Sequence, residues 1–114
     1  MNIIKTSKEN MSVKEIYALT KSPKINKMST AVGMILPVAA YALYEDTDKD
    51  GGTHQILSIM SDDGDVYATN SPTFEREFGD IVAICEQFGE KLDAIEIVEG
   101  TAKSGRTFIT CSLA

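Results

Sequence analysis

The chain is poor in the groups that most enzymes need. It has one histidine, His54, and two cysteines, Cys85 and Cys111. No serine or cysteine stands in a nucleophile motif beside His54, so neither a catalytic triad nor a zinc centre can be assembled. His54 reads as an ordinary residue at a strand edge. Cys85 and Cys111 are far apart and occupy apolar positions. They read as buried free thiols of a reducing compartment. Gly51-Gly52 and the Gly100–Gly105 segment lack the following helix that a phosphate-binding loop requires. No apolar run reaches membrane-spanning length: Val32–Leu43 is interrupted by Gly33 and Pro37. No basic-then-apolar leader opens the chain, and a cytoplasmic location is expected.

Positive charge is also scarce. The formal net charge of the 114 residues is −6, which argues against simple duplex binding, where phosphates need clustered Lys and Arg. The distribution is uneven, however. Residues 1–28 hold six lysines against two glutamates, and the remainder holds five basic against fifteen acidic residues. A basic head on an acidic body can follow a phosphate backbone locally. It can equally be a solvated terminus.

The length suits one domain. Met1–Met11 is polar and expected to fray. Ser12 and Glu15 form a capping box for a helix over Val13–Lys21, with Val13, Ile16, Tyr17 and Leu19/Thr20 as its apolar face. Ser22-Pro23 stops it. Val32–Glu45 reads as a long first strand, apolar on both faces, as in a strand that curls between two halves of a barrel. His54–Ser61 and Asp65–Thr69 are the second and third strands, joined by an Asp63-Gly64 turn. Ser71-Pro72 opens a second helix. Its Phe74, Phe78, Ile81, Cys85 and Phe88 share one face, and Gly89 ends it. Leu92–Glu99 and Arg106–Leu113 are strands four and five. The expected fold is mainly β: an OB-fold-like five-stranded barrel in the order βββαββ over residues 32–114. A helical, basic extension precedes it over residues 1–31.

The loop Asp46-Thr-Asp48-Lys-Asp50-Gly51 resembles the first half of a calcium loop. The bidentate Glu such a loop needs at its twelfth position is replaced by Leu57, so it reads as an acidic hairpin loop. The aromatics carry more. Phe108 lies between Arg106 and Thr110 on the polar side of strand five, Tyr67 is out of phase with Val66 and Ala68, and Tyr41 and Tyr44 sit near the end of strand one. Exposed aromatics beside cations are what base stacking uses. The other reading is that tyrosines cover the barrel ends with their hydroxyls in water.

The stretches Ser61-Asp-Asp-Gly-Asp-Val-Tyr-Ala-Thr-Asn-Ser-Pro-Thr-Phe, Phe78-Gly-Asp-Ile and Gly100-Thr-Ala-Lys-Ser-Gly-Arg-Thr-Phe-Ile-Thr-Cys resemble small phage single-stranded DNA-binding proteins, in particular those of tailed phages with protein-primed replication. The resemblance covers Val32–Leu113. It implies a non-enzymatic protein that coats displaced single strands during replication in the host cytoplasm. No family role carries over to Ser12–Lys27. On this reading Tyr67, Phe108 and one of Tyr41 or Tyr44 stack bases. Arg106, Lys103 and Lys49 contact phosphates, and Lys14, Lys21, Lys24 and Lys27 form a basic arm. The expected partners are single-stranded DNA and, beyond it, further copies of the chain or replication proteins; no membrane, cofactor or metal is expected. A different class stays open: an acidic interaction module or DNA-mimic inhibitor, favoured if Asp46, Asp48, Asp50, Asp62, Asp63 and Asp65 cluster on adjacent hairpin ends.

Overall fold

The computed structural model describes all residues, Met1–Ala114. In chain order the elements are β1 (Asn2–Thr6), α1 (Val13–Thr20), β2 (Asn26–Lys27), a 3-10 turn (Met28–Ala31), β3 (Ile35–Pro37), β4 (Ala40–Thr47), β5 (Thr53–Met60), β6 (Val66–Thr69), α2 (Pro72–Gln87), β7 (Ala94–Thr101) and β8 (Thr107–Leu113). They form a five-stranded sheet, β1-β4-β5-β6-β2, and a three-stranded sheet, β3-β7-β8.

The long first strand expected from sequence divides between these sheets. Val38 donates its N–H to the Asp93 carbonyl at 2.8 Å, beside β7. Ala39 donates to the Met60 carbonyl at 2.9 Å, at the end of β5. The chain therefore passes from one ladder to the other between adjacent residues. Over Ala40–Tyr44 both of its faces are covered, which explains apolar residues on both, whereas Val32, Met34 and Ile35 before the crossing are exposed.

Two apolar layers result. The larger lies between the sheets and α2, and includes Leu36, Tyr41, Leu57, Ile59, Phe74, Phe78, Ile95 and Ile97. The smaller lies between α1 and the far face of the five-stranded sheet, and consists of Leu19, Ala40, Ala42, Tyr44 and Val66. Ala40 and Ala42 are small enough to let α1 approach the strand. Ser12 caps α1 as expected: its hydroxyl accepts from Glu15 N–H at 3.1 Å, and Glu15 Oε1 accepts from Ser12 N–H at 3.2 Å.

Several expectations are corrected. The first residues do not fray. β1 pairs antiparallel with β4, with a bulge between Ile3 and Lys5, because β4 would otherwise leave a row of backbone groups unpaired. Lys5 then reaches Glu86 of α2 at 3.0 Å. Residues 1–31 are thereby woven into the sheet, with β1 on one edge and β2 on the other. The expected closed barrel does not form. β6 pairs in parallel with β2 (Asn26↔Tyr67, Lys27↔Ala68), and β8 has β7 as its only ladder partner. The two-residue β2 occupies the edge that β8 would need.

α2 buries Phe74, Phe78 and Val82, with Ile81 and Cys85 half-buried. Phe88, expected on that buried face, is 73% exposed. It is the C-cap residue, past the last helical turn. Gly89 follows at φ +68°, and Glu90 N–H bonds back to the Cys85 carbonyl at 2.9 Å, a glycine-assisted stop. Similarly, α1 buries Leu19 and Thr20 but leaves Val13 87% and Tyr17 55% exposed.

Candidate nucleic-acid interface

The open seam between β6 and β8 forms a cleft of about 510 Å³. Lys27 and Met28 line it from the β2 side, Ile56 from β5, Ala68 and Thr69 from β6, and Ile109 from β8. The floor is apolar and the rim polar. Ser71 also lines the cleft, and it caps α2 by accepting Phe74 N–H at 3.2 Å. The α2 N-terminus, with its partial positive charge, therefore opens here. A smaller cleft of about 300 Å³ lies between Ser7–Lys8, Tyr41 and the end of α2; Glu86 and Glu90 on its rim make it less suited to an anion.

Two loops lead away from the larger cleft. The first joins β4 to β5 and carries Lys49. It closes on Asp48, whose Oδ1 accepts the N–H groups of Asp50 at 2.9 Å and Gly52 at 2.8 Å, while Oδ2 meets His54 Nε2 at 2.7 Å. These contacts, His54 foremost, hold the Asp48 carboxyl below its ordinary pKa. Asp48 is thus committed to its own loop rather than to a cation. No three His, Cys, Asp or Glu residues in the structure stand together as metal ligands. The second loop joins β7 to β8 and carries Lys103 and Arg106. Ala102 N–H bonds to the Arg106 carbonyl at 2.8 Å, and Gly105 takes φ +86° in the turn.

Phe108 follows on β8, opposite Gly100 of β7, and is 36% exposed. It faces away from the core, because the neighbouring Ile109 and Cys111 face inward. Tyr67 is half-buried against the main core. The other two expected stacking residues are not available. Tyr41 is 8% exposed and meets Phe78 edge-on, with ring centroids 5.1 Å apart at 81°. Burial pushes its phenol pKa up. Tyr44 is 3% exposed under α1, and its hydroxyl points at the Thr20 carbonyl at 3.5 Å. Both lie on β4, which is covered on one side by α1 and on the other by the main core.

Among the lysines of the head, Lys21 is held by Asp46 at 3.1 Å, and this partner depresses the Asp46 pKa. Lys8 is held by Glu15. Lys14, Lys24 and Lys27 are exposed and form no ion pair. Lys24 lines a pocket with Gly64 and Asp65, and Lys27 sits at the main cleft, so the chain between them runs along β6. The structure brings Lys27 to the cleft directly, whereas Lys49 on the β4–β5 loop and Lys103 and Arg106 on the β7–β8 loop do not line it.

Sequence reasoning missed the polar rim of Thr69, Asn70 and Ser71, because these read as turn and cap residues. It also placed Tyr17 on the buried face of α1. The signal was available: at about 100° per residue, Tyr17 stands well off the arc shared by Ile16, Leu19 and Thr20.

A family model described as phage single-stranded DNA-binding protein matches residues 3–114. The chain belongs to that family. The match starts at Ile3 and so takes in β1, α1 and β2, beyond the Val32–Leu113 span of the sequence resemblance. No curated protein and no solved structure matches the chain. The cleft itself offers an apolar floor and one unpaired lysine, Lys27, and no aromatic residue lines it; Phe108 stands on the opposite face of β8 from Ile109.

Proposed function

We propose that this protein binds single-stranded DNA without sequence preference and without catalysis, coating displaced strands during phage DNA replication in the host cytoplasm. Its strands β3/β4, β5, β6, β7 and β8 are read as an opened OB-like barrel, with three strands, a helix and two strands in chain order. In such barrels the face of strands two and three, with the first and last hairpin loops, takes the oligonucleotide. The observation that carries the reading is the cleft at the β6–β8 seam. Ile56 and Ala68 on its floor come from the strands corresponding to two and three. The loops with Lys49 and with Lys103 and Arg106 correspond to the binding loops. Phe108 is the stacking residue proposed here, on the outer face of β8 beyond the cleft, where a strand leaving the cleft past the Lys103–Arg106 loop would meet it; Lys27, Lys49, Lys103 and Arg106 contact phosphates, and Lys14 and Lys24 extend the path.

The acidic-module reading is weaker. Asp46, Asp48 and Asp50 lie at one end of β5, whereas Asp62, Asp63 and Asp65 lie at the other. An eight-residue strand separates them by about 25 Å. Asp46, Asp48 and Asp63 are also engaged within their own neighbourhoods.

The test is fluorescence anisotropy of a labelled poly-dT oligonucleotide, at low and moderate salt, with duplex as control. Preference for the single strand and a loss of about fivefold or more on Phe108→Ala would support the reading. Absence of binding at tens of micromolar protein would overturn it.

A further inference from the structure

α1 is eight residues long and presents two different faces. The inner one buries Leu19 and Thr20 against the five-stranded sheet. The outer one carries Val13, Lys14 and Tyr17. Tyr17 is the most exposed of the four tyrosines, since Tyr41 and Tyr44 are buried and Tyr67 is half-buried. Its hydroxyl has no hydrogen-bond partner in the protein. Lys14 precedes it by three residues and Lys21 follows by four, spacings that place all three on neighbouring parts of one helical surface. Lys14 forms no ion pair, in a protein whose net charge is −6.

The position of this surface is as informative as its composition. The end of α1 is tied to β4 by Lys21 and Asp46 at 3.1 Å, at the base of the loop that carries Lys49. Beyond α1 the chain passes Lys24 and reaches Lys27 at the cleft. Lys14, Tyr17, Lys24 and Lys27 therefore follow one another along the chain from the outer face of α1 to the β6–β8 seam, with Asp65 beside Lys24 on the way.

We propose that Tyr17 stacks a base of the bound strand, and that the single strand continues from the cleft across the outer face of α1. This inference rests on the single-stranded DNA reading above. The occupant is a polyanion with flat apolar rings, because the surface offers one exposed ring beside the unpaired Lys14, with Lys21 paired to Asp46 at its far end. The distance along α1 from Lys14 to Lys21 is about 10 Å, roughly three nucleotide steps of a stacked strand.

The protein has no tryptophan, so its intrinsic fluorescence comes from tyrosine and reports stacking directly. The full chain, Tyr17→Ala and Tyr17→Phe are titrated with poly-dT, following both tyrosine quenching and anisotropy of a labelled oligonucleotide. Thermal unfolding confirms that the variants are folded. Tyr17→Ala is expected to lower affinity about tenfold, within the range of one lost stacked base. Tyr17→Phe keeps the ring and stays within about twofold of the parent, yet loses the larger part of the quenching. If the parent binds poly-dT and Tyr17→Ala binds it equally well, the inference falls while the single-stranded DNA reading stands. If the parent does not bind poly-dT, both fall. If Tyr17→Ala changes the sedimentation of the free protein and leaves its poly-dT affinity intact, α1 faces a second copy instead, and the inference is overturned.

Discussion

The ring of Phe108 fills the space that a side chain on Gly100 would need. The two residues are directly opposed across the β7–β8 ladder, and a Cβ on Gly100 would stand 2.5 Å from Phe108 Cζ and 2.8 Å from Cε2. The glycine lets the aromatic lie over the neighbouring backbone, which leaves the ring part-exposed and held in place. Gly100→Ala should therefore displace Phe108 outward. The ring is part-exposed with solvent on its outer side, so it can swing away when pushed, and the stability cost should be about 1 kcal/mol or less. Affinity for single-stranded DNA should fall by several-fold if the held ring stacks a base. Parallel thermal unfolding and anisotropy on one variant separate the two effects.

Attachment of α1 depends on a single large side chain. Leu19 is fully buried between α1 and β4, and Leu19→Ala should cost about 2–4 kcal/mol. Ser12→Ala removes one half of the capping box and should cost about 1 kcal/mol. Urea unfolding gives both values. A Leu19→Ala loss no larger than that of Ser12→Ala would mean that α1 is not anchored by this contact.

The β4–β5 loop should be sensitive to acid. Asp48 has a folded pKa below its unfolded value of 3.8. The folded loop therefore favours the ionised form, and its contribution to stability is present above that unfolded value and lost as pH falls through the folded one. In an NMR titration the Asp50 and Gly52 amide protons, which donate to Asp48, should shift together with an apparent pKa below 3.8. A midpoint above that value would contradict the hydrogen-bonded loop.

The two thiols should differ in reactivity. Cys111 is buried, and desolvation, with help from Glu77, pushes its pKa up to about 12. Cys85 is half-buried on α2. With an aromatic disulfide reagent at pH 8, the native protein should release about one equivalent of thiol quickly, from Cys85, and a second only on unfolding. Cys85→Ser should remove the fast phase. Rapid reaction at Cys111 in that variant would mean that β8 opens readily at the seam.

Charge in the cleft can be counted through salt. Each phosphate contact to a single strand contributes a slope of about −0.7 in log K against log salt. Lys27→Gln should reduce the slope by about that amount, and Lys21→Gln by less, because Asp46 already neutralises Lys21. Equal effects would place the strand on the head generally and not at the cleft.

The local signals in the sequence determined the elements themselves. Ser12 and Glu15 define the start of α1, Ser71-Pro72 the start of α2, and Gly89 its end. The Asp63-Gly64 turn and the alternation along β8 likewise depend on neighbours a few residues away, which is why they were legible, along with the family resemblance carried by residues 61–74 and 100–111. Tertiary structure alone decided which edges pair. Nothing local in Asn26–Lys27 marks a strand, and in Asn2–Thr6 only the β-branched Ile3, Ile4 and Thr6 lean that way; each segment pairs because β4 or β6 presents unpaired backbone groups beside it. That long-range choice keeps β8 from β6, opens the seam and exposes Lys27. It also lays α1 over β4, so Tyr44 is buried beneath the helix, as Tyr41 is beneath α2 on the other face, while Tyr17 is left in water. Whether an aromatic ring faces solvent depends on what packs against its strand or helix, and that partner comes from a distant part of the chain.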